Sequence, residues 1–517
     1  MERKKILWAD DEIELLRPHV LFLEERGYDV TAVTNGDDAI AQVTRGIFDV
    51  VLLDEEMAGK DGIATFAEIK AIRPGIATVM ITKSEEEQLM EEAIGQNIDD
   101  FLTKPVNPSQ ILLVLKKLTE SSRISRDHLS KEYLSQFNKI GALISSGASH
   151  QDWVDVHVKL SGWDMDMDRY PDLGLADVLQ EQKNHCNQEF ARFIEANYLD
   201  WLAGQGGPDL STRVVEKYLA PLLKSGRRVL FLVIDCLRLD QYLAVEPILL
   251  ELFNIQREYH YSILPSSTPY ARNAIFSGLF PNELERYYPD LWKRSEDDES
   301  SSNRFEHQLL DQQLVKLGVS LKSGSKYIKI LDLEEADNVE RKVSSYFTQP
   351  LVSMVFNFVD ILAHARADSE VIKEMVRNEG SYRAITRSWF EHSSLLNILR
   401  AFATQNCTIV LTSDHGSIRS QRPAKVISDK EASTNLRYKY GRNLKCDDKF
   451  ALFIRDPEAY KLPRRGINVN YIIAKEDYYF VYPTNMHRYI NLYKNSFQHG
   501  GISLEEMILP VAVMEPR

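Results

Sequence analysis

Short apolar runs that each end on a carboxylate or a hydroxyl dominate this chain. The runs Ile6–Trp8, Val30–Val33, Val50–Leu53, Val79–Ile81 and Phe101–Leu102 are strand-sized. They alternate with helix-period stretches such as Glu12–Glu25 and Asn107–Leu118. Strands that alternate with helices predict a parallel sheet covered on both faces, and five such units make one compact domain over 1–120. The pattern stops there. Leu129, Tyr133, Phe137, Ile140 and Ile144 recur at spacings of three and four, and similar spacings run through Leu175–Ile194. Residues 121–205 are therefore expected to form a helical bundle that joins two larger modules. Gly204, Gly206, Gly207 and Pro208 break the pattern. Alternation resumes over 206–517 with Val229–Ile234, Leu351–Phe358 and Thr408–Leu411, each followed by polar residues of catalytic type. The expected fold class is thus α/β, with a doubly wound first domain, a helical linker and a second α/β domain.

Composition narrows the class. The chain has 517 residues, with 62 Lys+Arg against 76 Asp+Glu, for a net charge of −14. That balance opposes wrapping duplex nucleic acid with the whole surface. The N-terminal apolar run stops at Asp10, too short for a signal-peptide core. No stretch approaches the roughly 20 apolar residues of a spanning helix. Cys186, Cys236, Cys407 and Cys446 show no paired spacing. A soluble protein of the reducing cytoplasm, without a membrane span, is expected.

Ligands of open α/β sheets bind beyond the carboxyl ends of the strands. In the first domain those ends carry Asp10 and Asp11, Asp54, Thr82 and Lys104. Three gathered carboxylates repel one another unless a cation sits among them, and hard oxygen ligands with open water positions suit Mg²⁺. Asp54 could then accept a phosphoryl group, with Lys104 and Thr82 on its oxygens. Any one of these residues alone would be an ordinary loop residue; the five in order are specific. Residues 1–120 resemble the CheY-like receiver domain of two-component response regulators. The resemblance implies that Asp54 is the phosphoacceptor. Asp10, Asp11 and the Glu56 backbone carbonyl join it around the metal, and Phe101 stands at the switch-aromatic position. Two residues depart from the pattern. Ala58 replaces the usual proline, and Lys83 replaces a very small residue after the conserved hydroxyl. The expected consequence is an altered phosphoryl lifetime, not a loss of phosphorylation.

In the second α/β domain the strand ends carry Asp235, Asp360 and Asp414-His415-Gly416. His364 lies four residues after Asp360, on the same helix face. His499-Gly500-Gly501 comes near the C-terminus. Thr268 precedes Pro269 in PSSTPYARN, so it is expected to be an N-cap, close to unpaired N–H groups that favour an anion. Asp360, His364 and His499 could hold one zinc ion. Asp235, Thr268, Asp414 and His415 could hold a second. Two such ions would clamp an in-line displacement. The adjoining Ser266 and Ser267 leave the nucleophile open, with Thr268 preferred for its place at the helix start.

This order resembles the alkaline-phosphatase superfamily, specifically its PglZ domain, from about Leu210 onward. The resemblance implies a two-metal ester hydrolase with a threonine nucleophile. Sulfatase chemistry is disfavoured, because Arg272 falls one residue late for the sulfatase motif. Together, the three segments resemble the PorX-type response regulators of Bacteroidetes. That resemblance implies an upstream sensor histidine kinase and control of type IX secretion. It also implies a phosphorylation-dependent homodimer formed through the fourth and fifth receiver helices.

Ser417–Lys445 carries eight Lys/Arg against two acids, with Tyr438 and Tyr440 among them. As a basic loop, its Arg437 and Lys439 would suit a short cyclic or linear oligonucleotide. A second charged stretch, Lys293–Arg304, reads as a mobile loop. Asp164, Asp166 and Asp168 do not form a calcium loop, because Arg169 and Leu175 stand where glycine and glutamate are required. The alternative to a phosphodiesterase is a non-catalytic scaffold controlled by phosphorylation, with a sigma factor as a possible partner.

Overall fold

The computed structural model describes residues 3–83, 98–292, 303–429, 432–484 and 486–517. The chain divides into two compact units, Met1–Tyr133 and Leu134–Arg517.

The first unit holds five parallel strands: β1 (Lys4–Ala9), β2 (Tyr28–Val33), β3 (Val50–Asp54), β4 (Ala77–Thr82) and β5 (Asp100–Thr103). Their order is β2-β1-β3-β4-β5. Alternate side chains feed two separate cores. Ile6, Trp8, Val50, Leu52, Val79 and Ile81 enter one; Leu7, Ala9, Val51, Leu53 and Met80 enter the other. Burial on both faces explains why these strands read as unbroken apolar runs. The first helix begins at Arg17, with Pro18 in its opening turn, rather than at Glu12. Asn35 and Asp61 cap the next two helices, each accepting a backbone N–H from the residue three positions on.

A 38-residue helix, Pro108–Ser145, begins in this unit and continues past its end at Tyr133. No proline or glycine lies between Pro108 and Gly141 to stop it. An expected boundary at 120/121 therefore falls inside a continuous helix. The helices His150–Arg169 and Ala176–Leu202 follow. No helix among the described residues is long and apolar enough to cross a membrane.

The second unit is built on a six-stranded sheet. Its strands are β6 (Val229–Ile234), β7 (Phe253–Tyr261), β8 (Lys326–Ile330), β9 (Leu351–Phe356), β10 (Thr408–Thr412) and the C-terminal strand Ile508–Pro516. The order is β7, C-terminal strand, β10, β6, β9, β8. β10, β6, β9 and β8 are mutually parallel, and the C-terminal strand runs antiparallel to both its neighbours. Asp235, Asp360 and Asp414 therefore leave from the same edge of three adjacent parallel strands. Ser417–Lys445, expected as a loop, instead contributes the strands Ile418–Arg419, Arg422–Lys425 and Tyr438–Gly441 to small sheets. Tyr438–Gly441 pairs with Asn470–Ala474, and both Tyr438 and Lys439 are buried there. The expected loop Lys293–Arg304 lies almost wholly outside the described residues.

A buried charge network ties the linker helices to the turn after β6. Arg238 holds both oxygens of Asp240, at 2.8 and 2.8 Å. Arg383 bridges Asp240 (2.8 Å) and Asp168 (2.6 Å). Lys183 bonds Asp164 at 2.6 Å and also pairs with Glu379. Asn187 receives the Leu504 N–H at 2.8 Å and donates to Glu505 at 3.0 Å. Two of the aspartates that tempt a calcium reading are thus anchors for arginine and lysine. A Lys183→Met chain leaves Asp164 and Glu379 without their shared cation. It should lose about 3–5 kcal/mol of stability, read as an earlier unfolding transition in denaturant. An unmoved midpoint would show that the network carries no such role.

Candidate functional site

β1 and β3 deliver the receiver carboxylates. Asp10 and Asp54 are buried and Asp11 is exposed, and one oxygen from each lies within 4.8 Å of the others. Lys104 reaches Asp54 Oδ2 at 2.7 Å and Asp10 Oδ2 at 3.2 Å. Burial raises the Asp54 carboxyl above its ordinary range, and Asp10 and Asp11 add to the rise against the pull of Lys104. Thr82 donates to the Glu55 carboxylate. Lys83 Nζ pairs with Glu56 at 3.1 Å on the surface. Both line an open cleft of about 470 Å³ with Asp11. Phe101 packs partly buried on the second receiver core. The expected fourth helix falls within 84–97, outside the described residues.

In the second unit the seven expected side chains converge. Oxygen or nitrogen atoms of Asp360, His364 and His499 lie within 4.8 Å of one another, as do those of Asp235, Asp414 and His415. The two groups touch through the rings of His415 and His499, stacked at 4.3 Å between centroids. Thr268 Oγ1 stands 2.9 Å from His415 Nε2 and 3.4 Å from Asp235 Oδ1. His415 Nδ1 lies 3.0 Å from the Gly416 carbonyl, which can only accept, so this nitrogen carries a proton and Nε2 is turned toward the cluster. Gly416 is required here, because a Cβ would come within 1.9 Å of the Glu505 carbonyl oxygen. Cys236, directly after Asp235, takes a left-handed backbone (φ 64°), and its N–H lies 3.3 Å from Asp414 Oδ1.

The neighbouring hydroxyls separate cleanly. Ser266 donates to the Gly501 carbonyl at 2.7 Å, and Ser267 Oγ is buried with no hydrogen-bond partner among the described residues. Only Thr268 faces the acids and the imidazole. Ser267 occupies the N-cap, and Thr268 is the first helical residue, one position later than expected.

This cluster fits divalent cations. Asp360 Oδ1 and Asp414 Oδ2 are buried without a hydrogen-bond partner among the described residues. His364 Nε2 and His499 Nε2 face each other at 3.2 Å. Burial lifts the Asp235 carboxyl well above its usual range, with Asp414 and Asp360 adding and Arg272 opposing. Burial and the nearby His415 push the His499 imidazole well below its usual value, so it is neutral and able to coordinate. Carboxylate oxygens with neutral imidazoles are a donor set that zinc accepts.

Four residues were not anticipated. Arg272 pairs with Asp235, bonds Glu306 at 2.6 Å and lies 3.9 Å from Asp414. Asn357 donates to Asp235 Oδ2 at 2.9 Å, and Asn303 to the Thr268 carbonyl at 3.3 Å. Arg272 was readable in principle: it is four residues after Thr268, on the same helix face. Glu306 and Asn303 lie far along the chain, and no local pattern marks them.

The expected substrate contacts require correction. Arg437 is fully buried and clasps Glu506 at 3.0 and 2.6 Å. Lys439 is buried as well, donating to the Ser433 carbonyl at 3.0 Å, and burial pulls its ammonium down to about 7. Neither presents a cation to a polymer.

Three family models match the chain. A response regulator receiver domain covers 6–116, a PorX response regulator linker domain 123–202, and a BREX system PglZ alkaline phosphatase-like domain 214–514. The chain belongs to the PorX-type response regulators, of receiver, linker and PglZ architecture. Curated relatives match the receiver region. The transcriptional regulatory protein ZraR of Salmonella typhimurium is 34% identical over 137 residues, 26% of this chain and 31% of that one. ResD of Bacillus subtilis is 33% identical over 114 residues, 22% and 47% of the two chains. The chain thus spans less than half the length of these relatives. Among solved structures, a CheY-like receiver domain protein from Methanospirillum hungatei is 26% identical, with a TM-score of 0.23. The match covers 23% of this chain and 98% of that one.

For this PorX-type chain, Arg437→Ala should act on folding. It leaves the buried Glu506 without its cation, at a cost of about 3–5 kcal/mol. Thermal unfolding would read the loss; a normal midpoint with weakened oligonucleotide binding would restore the surface role.

Proposed function

We propose that the PglZ module is a two-zinc phosphodiesterase whose nucleophile is Thr268, and that phosphorylation of Asp54 by a sensor histidine kinase controls it. The observation that carries this reading is the place of Thr268 Oγ1, between His415 Nε2 at 2.9 Å and Asp235 at 3.4 Å, in the first turn of a helix. Asp360, His364 and His499 would hold one ion; Asp235, Asp414, His415 and the Thr268 oxygen would hold the other. Bound there, the ions would neutralise charge on the phosphoryl oxygens and favour the alkoxide of Thr268. Thr268 Oγ, its proton lost to solvent, attacks phosphorus; the bond to the opposite ester oxygen breaks, and that oxygen takes a proton from water and leaves as the alcohol. The N–H groups of the opening turn favour the anion. Arg272 fixes Asp235 in place. Water then attacks the same phosphorus, releasing a phosphate monoester and restoring the Thr268 hydroxyl.

In the receiver, Asp10, Asp11, Asp54 and the Glu56 backbone carbonyl would hold Mg²⁺. Lys104 is already on Asp54. Thr82 would exchange Glu55 for a phosphoryl oxygen, and Phe101 would follow the hydroxyl. We infer that this change drives a homodimer and acts in the cytoplasm on type IX secretion, a setting supported by membership of the PorX-type family. The substrate class we assign is a short oligonucleotide, linear or cyclic. In a scaffold, a sigma factor could be the partner instead.

Hydrolysis of bis(4-nitrophenyl) phosphate with zinc tests the chemistry. Thr268→Ala should lower kcat on the order of 10³-fold or more, and zinc should raise the unfolding midpoint of the native chain by more than that of His499→Ala. Equal background hydrolysis in native and Thr268→Ala protein would leave only the scaffold. For the receiver, acetyl phosphate with Mg²⁺ should label the native chain and not Asp54→Asn. Lys83→Ala should change the half-life of the label several-fold, since it opens the ion pair beside Thr82. Identical decay would remove the role given to Lys83.

A further inference from the structure

The guanidinium of Arg465 rests on neutral groups. Its Nε donates to Tyr471 Oη at 3.3 Å, Nη2 lies 3.5 Å from Tyr270 Oη, and Cζ sits 4.0 Å over the Tyr440 ring. Nη1 has no hydrogen-bond partner among the described residues, and none of their carboxylates pairs with this guanidinium. The contrast with other arginines is sharp. Arg238, Arg272, Arg383 and Arg437, all buried, each hold a carboxylate. The adjacent Arg464 is turned outward to Glu458 at 3.0 Å. Burial raises the Tyr471 phenol well above its usual value, so it stays neutral. The phenols orient the cation of Arg465 without balancing it, and a partly desolvated charge left unbalanced is costly.

Its neighbours lead back to the site. Tyr270 belongs to the helix that starts at Thr268. Tyr438 packs edge-on against Tyr270 at 5.6 Å. It also lies against Gly500, next to His499, where a Cβ would come within 2.5 Å of the Tyr438 ring. An aromatic wall thus runs from the metal-ligand edge to Arg465. Arg465 and Tyr440 are both partly open to solvent.

We propose that Arg465, stacked on Tyr440, receives a second, non-scissile phosphate of the substrate. The site would thereby favour nucleotide diesters that carry a further phosphate group. Guanidinium meets phosphate through paired N–H donors, and the ring keeps the fork planar. This rests on the phosphodiesterase reading above.

The test compares a dinucleotide bearing a 5′-phosphate with the same dinucleotide lacking it, on the full chain with zinc. The native protein should favour the phosphorylated form by about tenfold or more in kcat/KM, mainly through KM. Arg465→Gln should bring that ratio close to one, and Arg465→Lys should keep part of it. A ratio near one in the native chain, or an unchanged ratio in Arg465→Gln, overturns the proposal. Calorimetry on Thr268→Ala protein separates the two readings. Phosphate-dependent binding that needs Arg465, with no turnover by native protein, would keep the anion site and reject the hydrolase. Turnover without phosphate preference would do the reverse. Inorganic phosphate alone, binding as tightly as the dinucleotide, would overturn the substrate assignment. Thermal unfolding of Arg465→Gln identifies a folding failure, and Arg465→Lys then serves as the deciding variant.

Discussion

Unbalanced negative charge at the carboxyl edges of parallel strands sets the terms for both modules. In the receiver, Asp10, Asp11 and Asp54 face one built-in cation, Lys104, and one divalent ion would balance the remainder. In the second unit, Asp235, Asp414 and Glu306 gather on Arg272 and Asp360 faces the imidazoles of His364 and His499, while burial and His415 hold His499 neutral. Carboxylate outweighs guanidinium here, an excess that divalent cations would offset. The same excess explains why Asp235 is lifted so far by burial: its protein partner is shared with Glu306 and Asp414.

The fold meets this excess by holding the cluster rigidly from behind. The turn that follows Asp235 carries Arg238 and Asp240, and these are locked to Arg383, itself bonded to Asp168 of the linker helix His150–Arg169. Glu505 and Asn187 bring the segment after His499 into the same network. Ion pairs of this kind contribute little net stability when intact and cost much when half is removed. Their value is positional. They fix two ligand-bearing segments against helices of the linker, so the linker belongs to the scaffold of the site.

Much of this was legible in the sequence because the chemistry sits at strand ends. An apolar run that stops on aspartate is visible without coordinates, and Asp10, Asp54, Asp235 and Asp414 all have that signature. The end of Leu351–Phe358 gave Asp360, and a four-residue spacing gave His364. The basic segment Ser417–Lys445 could not be read the same way. Its charge balance pointed outward, yet the strand that pairs with Asn470–Ala474 is largely buried, and Arg437 meets Glu506, whose position in the chain gives no hint of the contact. The junction between receiver and linker carries no local mark, for a simpler reason. A helix with no breaker between Pro108 and Gly141 has no local mark where one module gives way to the next.

Arginine shows most clearly why burial must be known before charge is assigned a role. Arg437 and Arg465 flank one small sheet and its adjoining loop, and in sequence both are basic residues near tyrosines. The first is matched by a carboxylate, and its charge is spent inside the fold. The second is matched by phenol hydroxyls and a ring face, which orient a cation but leave its charge uncompensated. A guanidinium of the first kind stabilises the framework; one of the second kind is complementary to an anion that the polypeptide does not supply. Recognition of the substrate therefore falls to the arginine whose partners are neutral, even though the sequence places more basic residues around the other.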